Sequence, residues 1–313
     1  MAYLHEHKNF KDLLNIIAGE MKIEPGLVEK DYWIMHVLYG LKKQKFQFEL
    51  KGGTSLSKGF KIIDRFSEDI DIHIKPAEKL NVQENPKKTR SQDVGSRKNF
   101  YDWLKEEINI DGIIRKIRDH VFDNAIYTSG GIRLFYEPFT EPVEGAKDGI
   151  LLEAGFDTVT PNTALTISSW AYDRAVETVA IDDNRAIDII CYHPGYTFVE
   201  KLQTIATKFR QEQVDGKERA NLMRQYYDVS QLLKNENVLQ FIGTDDYYKH
   251  KRTRFPKQDR DIPIAENEAF LLSEGVLRKN FEERYKKTAK LYYKGQPGFN
   301  ELLANIHRHI EKL

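Results

Sequence analysis

Apolar and polar positions divide this chain into a mixed first part and a helical second part. In "NFKDLLNIIAGEM", Phe10, Leu13, Leu14 and Ile17 recur at helical spacing. "EPGLVEKDYWIMHVLYGLKK" opens with Pro25 and turns Leu27, Tyr32 or Trp33, Ile34 and Leu38 to one side. Both segments predict helices. "KFQFEL" alternates Phe46, Phe48 and Leu50 with Gln47 and Glu49, as a half-buried strand does. Two glycines follow, then "SLSKGFKIID" predicts a short helix and "DIDIHI" a second strand. The polar, proline-broken "KPAEKLNVQENPKKTRSQ" predicts a flexible loop, and "RKNFYDWLKEEI" a helix. Strands are predicted at "GGIRLFYEP", "GILLEAGF", "ALTISSW" and "RAIDIICY".

From about Tyr196 the helical period persists to the end. It is clearest in "TFVEKLQTIATKFR" and "ERANLMRQYYDVSQLL", with "AFLLSEGVLRKNFEERYKKTAKLYY" and "ELLANIHRHIEKL" behind them. Strands first and helices afterwards predict an α+β protein. Residues 1–195 would form a small mixed sheet flanked by helices, and residues 196–313 a helical C-terminal domain.

Composition narrows the function classes. A hydrophobic share of 40% against 31% charged residues describes a folded chain rather than a disordered one. Formal net charge is zero, so any attraction to nucleic acid must come from a local patch. The single cysteine, Cys191, excludes an internal disulfide and a cysteine-rich zinc site, and fits a reducing cytosol. No apolar run approaches the ~18–20 residues of a spanning helix. The N-terminus lacks the layout of a signal peptide, so a cytoplasmic protein without a membrane partner is expected.

The candidate chemistry lies in "LKGGTSLSKGFKIIDRFSEDIDIHI". Gly52 and Gly53, followed by Thr54 and Ser55 at a helix start, let a backbone approach an anion. The same pattern also serves as plain turn geometry. On a strand, Asp69 and Asp71 point to one face and Ile70, Ile72 and Ile74 to the other. Two carboxylates so spaced hold a hard divalent ion, or else mark a solvent-facing edge strand. The segment is neither a Walker loop nor a dinucleotide fingerprint. Phosphate-binding glycines before an Asp-x-Asp strand form a nucleotidyl-transfer layout, which needs a third carboxylate on a neighbouring strand. Glu153 in "GILLEAGFD" is the candidate, with Asp157 in reserve.

This segment resembles the nucleotidyltransferases of the AbiEii/AbiGii toxin family, within the DNA polymerase β-like superfamily. "LVEKDYWIMHVL", "LLEAGF", "HPGYTFVEKLQTI" and "RQYYDVSQLL" carry the resemblance onward in the same order, over Leu27 to Leu233. The resemblance implies a nucleotidyltransferase fold and Mg²⁺-dependent, two-metal transfer of a nucleoside monophosphate from an NTP to an acceptor hydroxyl. It implies that Gly52, Gly53, Thr54 and Ser55 cradle the β- and γ-phosphates and that Asp69 and Asp71 bind the two Mg²⁺. Glu153 would complete the site and help deprotonate the acceptor, and Lys201 would contact the triphosphate. Arg224 and Asp228 match the family's R-x-x-x-D segment, although four residues apart on a helix they could simply pair with each other.

Other residues stay open on sequence. Lys58 either reaches phosphate or lies exposed, and Arg65 is equally ambiguous. Glu29, Lys30 and Asp31 form either a helix-surface charge cluster or a docking point beside the site. "KHKRTRF" (Lys249 to Phe255) and "RYKKTAKLYYK" (Arg284 to Lys294) combine basic and aromatic residues, as RNA contacts or as solvated helix faces. The implied setting is the toxin half of a bacterial toxin–antitoxin, abortive-infection pair acting on RNA, such as a tRNA 3′ end, with a cognate antitoxin as partner. A protein or small-molecule acceptor, or a non-catalytic GTP/ATP-binding regulator, are the alternatives.

Overall fold

A computed structural model describes residues 2–157 and 159–313. The chain forms two compact units, one of Met1–Phe60 and Phe66–Tyr192, the other of Lys61–Arg65 and His193–Leu313.

The first unit is built on a seven-stranded mixed sheet in the order β3-β4-β5-β2-β1-β7-β6. Its elements run α1 (Phe10–Met21), α2 (Pro25–Lys43), β1 (Gln47–Lys51), a short turn of helix α3 (Gly52–Thr54), β2 (Asp69–Lys75) and α4 (Ser91–Glu107). They continue through β3 (Ile113–Asp119), β4 (Ser129–Tyr136), β5 (Ile150–Gly155), β6 (Asn162–Ile167), α5 (Trp170–Ala175) and β7 (Ala186–Tyr192). The sequence-predicted strands all form. The predicted helix after the glycines shrinks to α3 and a widened turn over Ser55–Gly59, and the backbone beyond Phe60 is irregular up to β2.

Strand β3 has no counterpart in the sequence reading. "IIRKIRD" shows no clean alternation because it is an edge strand, with Ile114 and Ile117 exposed. Edge strands bury too little to leave a period-two signature. The loop after β2 is anchored, because the buried Arg97 guanidinium donates to the carbonyls of Gln83, Lys88 and Ile126.

Burial fixes the register that matters for the site. Ile70, Ile72 and Ile74 are fully buried on one face of β2, while Asp69, Asp71 and His73 alternate onto the other. Each buried isoleucine contributes roughly 2 kcal/mol. A one-residue slip would bury the carboxylates and expose all three isoleucines, so the pattern itself excludes it.

The second unit is helical: α6 (Pro194–Asp215), α7 (Leu222–Leu232), α8 (Glu236–Phe241), α9 (Asp245–Arg254), α10 (Lys257–Arg260), α11 (Glu268–Leu271), α12 (Gly275–Lys286) and α13 (Phe299–His309). "AFLLSEGVLRKNFEERYKK" is broken between α11 and α12, where Leu272 takes a left-handed φ of 42°. The segment Lys61–Arg65 packs into this unit. Asp64 N–H donates to Tyr227 Oη at 3.0 Å, Tyr293 Oη donates to Ile63 O at 3.1 Å, and Lys294 pairs with Asp64 at 2.8 Å. Among the described residues, no helix is long and apolar enough to cross a membrane.

Candidate active site

Strand β2 carries Asp69 and Asp71 between two partners, antiparallel β1 and parallel β5. Asp71 is the register partner of Lys51 on one side and of Glu153 on the other, and Asp69 is that of Leu151. Partners across a sheet share a face, so Asp69, Asp71 and Glu153 stand on one face of adjoining strands. Burial, and next the Asp71 carboxylate, push the Glu153 carboxyl up to about 7, against the pull of Lys51 and Lys147. Asp157, the reserve carboxylate, pairs with Lys51 at 3.6 Å. His73, on the same face as Asp71, bonds to Glu49.

The glycine turn lies directly on this acidic row. Gly52 has φ +72°, and a Cβ built on it would sit 2.2 Å from Asp71 Oδ2. Only a glycine allows the backbone that close to the carboxylate. Thr54 Oγ1 donates to the Asp69 carbonyl, and Ser55 Oγ donates to the Gly52 carbonyl at 3.0 Å. Gly53, Thr54 and Ser55 are buried. The Thr54 hydroxyl proton is therefore used to tie the turn to the start of β2 and the Ser55 hydroxyl proton to close the turn on itself, and first-turn backbone N–H groups are the donors that geometry leaves for an anion.

A second loop reaches Asp69 from the other side. Lys147 Nζ lies 3.0 and 2.8 Å from the two Asp69 oxygens. The "EKD" of α2 fixes this loop. Glu29 accepts from Phe139 N, Thr140 N and Thr140 Oγ1, and Lys30 Nζ donates to the carbonyls of Lys147 and Gly149. Lys147 N in turn donates to Glu68. Asp31 pairs with Lys58 at 2.7 Å and accepts from Trp170 N at 2.8 Å. All three are buried, so they are no helix-surface cluster. A charge triplet placed among Val28, Tyr32 and Trp33 was the signal for this. Lys58, a candidate for the phosphates, has Asp31 as counter-ion and the Trp170 ring 5.0 Å away.

In the helical unit, Lys201 on α6 is buried, 2.6 Å from Asp228 and 3.2 Å from Gln225 Oε1. Asp228 on α7 is fully buried and also takes a two-pronged bond from Arg65, 2.6 Å on each oxygen. Burial would raise the Asp228 carboxyl, but the Arg65 guanidinium and the Lys201 ammonium outweigh it and hold it below the ordinary carboxylate range. Asp228 thus has Arg65 and Lys201 as its strong partners, a bond the spacing of Arg224 and Asp228 on α7 did not suggest. "KHKRTRF" falls on α9 and the turn after it, where Arg254 pairs with Glu200 and Phe255 is buried.

The acidic row supplies oxygen donors alone, which suits a hard divalent cation, and the Lys147 ammonium on Asp69 marks where positive charge is favoured. Asp69, Asp71 and Glu153 are the residues that would hold it. Among the described residues, no three acidic, histidine or cysteine side chains close into a preformed metal cluster.

No curated protein matches the chain. Among solved structures, it is similar to an antigenic nucleotidyltransferase-like protein from Paracoccidioides brasiliensis, at 10% identity and a TM-score of 0.38, over 72% of this chain and 94% of that one. The family model "Nucleotidyl transferase AbiEii toxin, Type IV TA system" matches residues 36–305. That span takes in the acidic row, the glycine turn, Lys147 and the Lys201–Asp228 pair, and the chain belongs to this family of nucleotidyltransferase toxins of type IV toxin–antitoxin systems.

Proposed function

We propose that this nucleotidyltransferase transfers a nucleoside monophosphate from an NTP to an RNA acceptor, with a tRNA end as the favoured form, and depends on Mg²⁺. The observation that carries the reading is the pairing of Asp71 with Glu153 on adjoining strands beneath the Gly52 turn. Bound divalent ions would supply Lewis-acid stabilisation of the phosphates and lower the pKa of the acceptor hydroxyl.

The chain's own residues account for the rest. The Gly52–Gly53 backbone lets the triphosphate approach the acidic row, where Asp69 and Asp71 would hold the divalent ions that offset its charge. Glu153 is assigned to accept the proton of the attacking hydroxyl, as the family resemblance implies, while the oxygen of that hydroxyl bonds to the α-phosphorus and the bond to the leaving pyrophosphate breaks. Lys201 is assigned to the triphosphate, as the family resemblance implies, with Asp228 holding its side chain. A cognate antitoxin follows from the family.

The test is to incubate the protein with each α-³²P-labelled NTP, Mg²⁺ and total RNA, alongside Asp71→Asn. Label on RNA that disappears in the variant is the expected result. Label on protein or a small molecule instead would replace the acceptor, and nucleotide binding without transfer would reject the reaction. Growth arrest on expression, lost in Asp69→Ala, tests the toxin role.

A further inference from the structure

We propose that Arg115 and Phe135 form the subsite for the acceptor strand of RNA, taking one nucleotide beside the reacting end. The inference rests on the RNA reading above. In the sheet unit, a cavity of about 230 Å³ is lined by Arg115, Phe135, Tyr136, Lys30, Lys147 and Asp148, among others. This is smaller than the ~300–1,000 Å³ that encloses a drug-sized ligand, which suits a single base of one nucleotide with the rest of the strand outside.

Arg115 on β3 and Phe135 on β4 are register partners, and the guanidinium carbon lies 3.7 Å from the centre of the Phe135 ring. The other arginines of these strands have acidic partners. Arg118 pairs with Asp102 and Asp123, and Arg133 with Asp119. Among the described residues, Arg115 has no carboxylate partner. Its guanidinium lies over an aromatic ring and the residue is exposed, an arrangement that suits a flat base edge or a phosphate.

The register links this pair to the acidic row. Phe135 lies two residues from Arg133, Arg133 pairs with Leu151, and Leu151 pairs with Asp69. Arg115, Phe135 and the carboxylates therefore share one sheet face. Strand spacing and rise put Phe135 about 12 Å from Asp69, within reach of one or two nucleotides of an extended strand. Lys147 is common to both, since it lines the cavity and holds Asp69.

Sheet order assigns the two sides. The glycine turn follows β1, on one side of β2 and β5, while Arg115 and Phe135 lie on β3 and β4, on the other. If the turn takes the triphosphate, the Arg115 side is left for the acceptor.

The experiment measures binding of a fluorescently labelled 12-nucleotide single-stranded RNA by anisotropy, binding of a labelled NTP analogue, and transfer kinetics, for the wild type, Arg115→Ala, Arg115→Lys and Phe135→Leu. Arg115→Ala is expected to weaken RNA binding roughly tenfold and raise KM for RNA, with kcat and NTP affinity unchanged, as for loss of one stacking contact. Arg115→Lys should recover part of the salt-dependent binding and not the rest. Unchanged RNA affinity in Arg115→Ala, with transfer to RNA intact, would overturn the subsite and leave the RNA reading standing. Weakened NTP binding would assign the cavity to the other substrate and also overturn it. A wild-type protein that labels protein and binds no RNA would end both.

Discussion

Asp71 and Glu153 are register partners on parallel strands, and the burial of one beside the charge of the other holds Glu153 half-protonated near pH 7. The stability consequence has a definite sign. The Glu153 carboxyl rises from its ordinary 4.5 to about 7. Between those values the unfolded chain releases its proton and the folded chain keeps it, so stability is lost as pH rises through about 7. The loss is on the order of 3 kcal/mol. Glu153→Gln should melt level with the wild type at pH 5 and several degrees higher at pH 8, both with chelator present, while losing transfer activity. An offset that does not change with pH would refute the assignment.

Lys147 bridges both oxygens of Asp69, so a metal ion at that carboxylate must displace an internal cation. The pair is partly exposed, and such a bridge contributes on the order of 1 kcal/mol. Lys147→Met should therefore bind Mn²⁺ about fivefold more tightly, read from free Mn²⁺ by electron paramagnetic resonance. Equal or weaker binding would show that Lys147 does not compete for the site.

The acidic row was legible in the sequence because aspartates on a strand with isoleucines between them leave little room for another register. Glu153 was legible for the same reason, as a charge between Leu152 and Ala154. The contributions of Lys147 and Arg65 were not. Lys147 sits in an irregular loop whose course is set by Glu29 and Lys30, far away in sequence, and periodicity carries no information about such contacts. Arg65 looked like any basic residue before a strand, and its meaning depends on a partner 163 positions later. Edge strand β3 was missed because exposure on an edge erases alternation, and with it went Arg115.

Gly52 should tolerate no side chain. Its φ of +72° strains any L-residue, and a Cβ would displace the Asp71 carboxylate. Gly52→Ala is expected to lower transfer by about a hundredfold or more, since ångström-scale displacement of a reacting group has that effect. Urea unfolding should show a loss of only about 1–2 kcal/mol, so the variant remains folded. Activity within threefold of wild type would mean the turn does not position Asp71.

Asp228 sets a different problem, because loss of activity there has two sources. Its carboxylate is fully buried between Arg65 and Lys201. Asp228→Ala leaves two buried cations without their shared anion, which costs about 3–5 kcal/mol in urea unfolding. An inactive Asp228→Ala protein is thus no evidence for a role in chemistry. The triple variant Arg65→Met, Asp228→Leu, Lys201→Met removes all three charges and should regain most of that stability, as apolar replacements of buried ion networks do. Lys201→Met alone keeps the Arg65–Asp228 bond, so it should stay folded and lose NTP affinity if Lys201 contacts the triphosphate. Full NTP affinity in Lys201→Met would confine all three residues to holding the helical unit together.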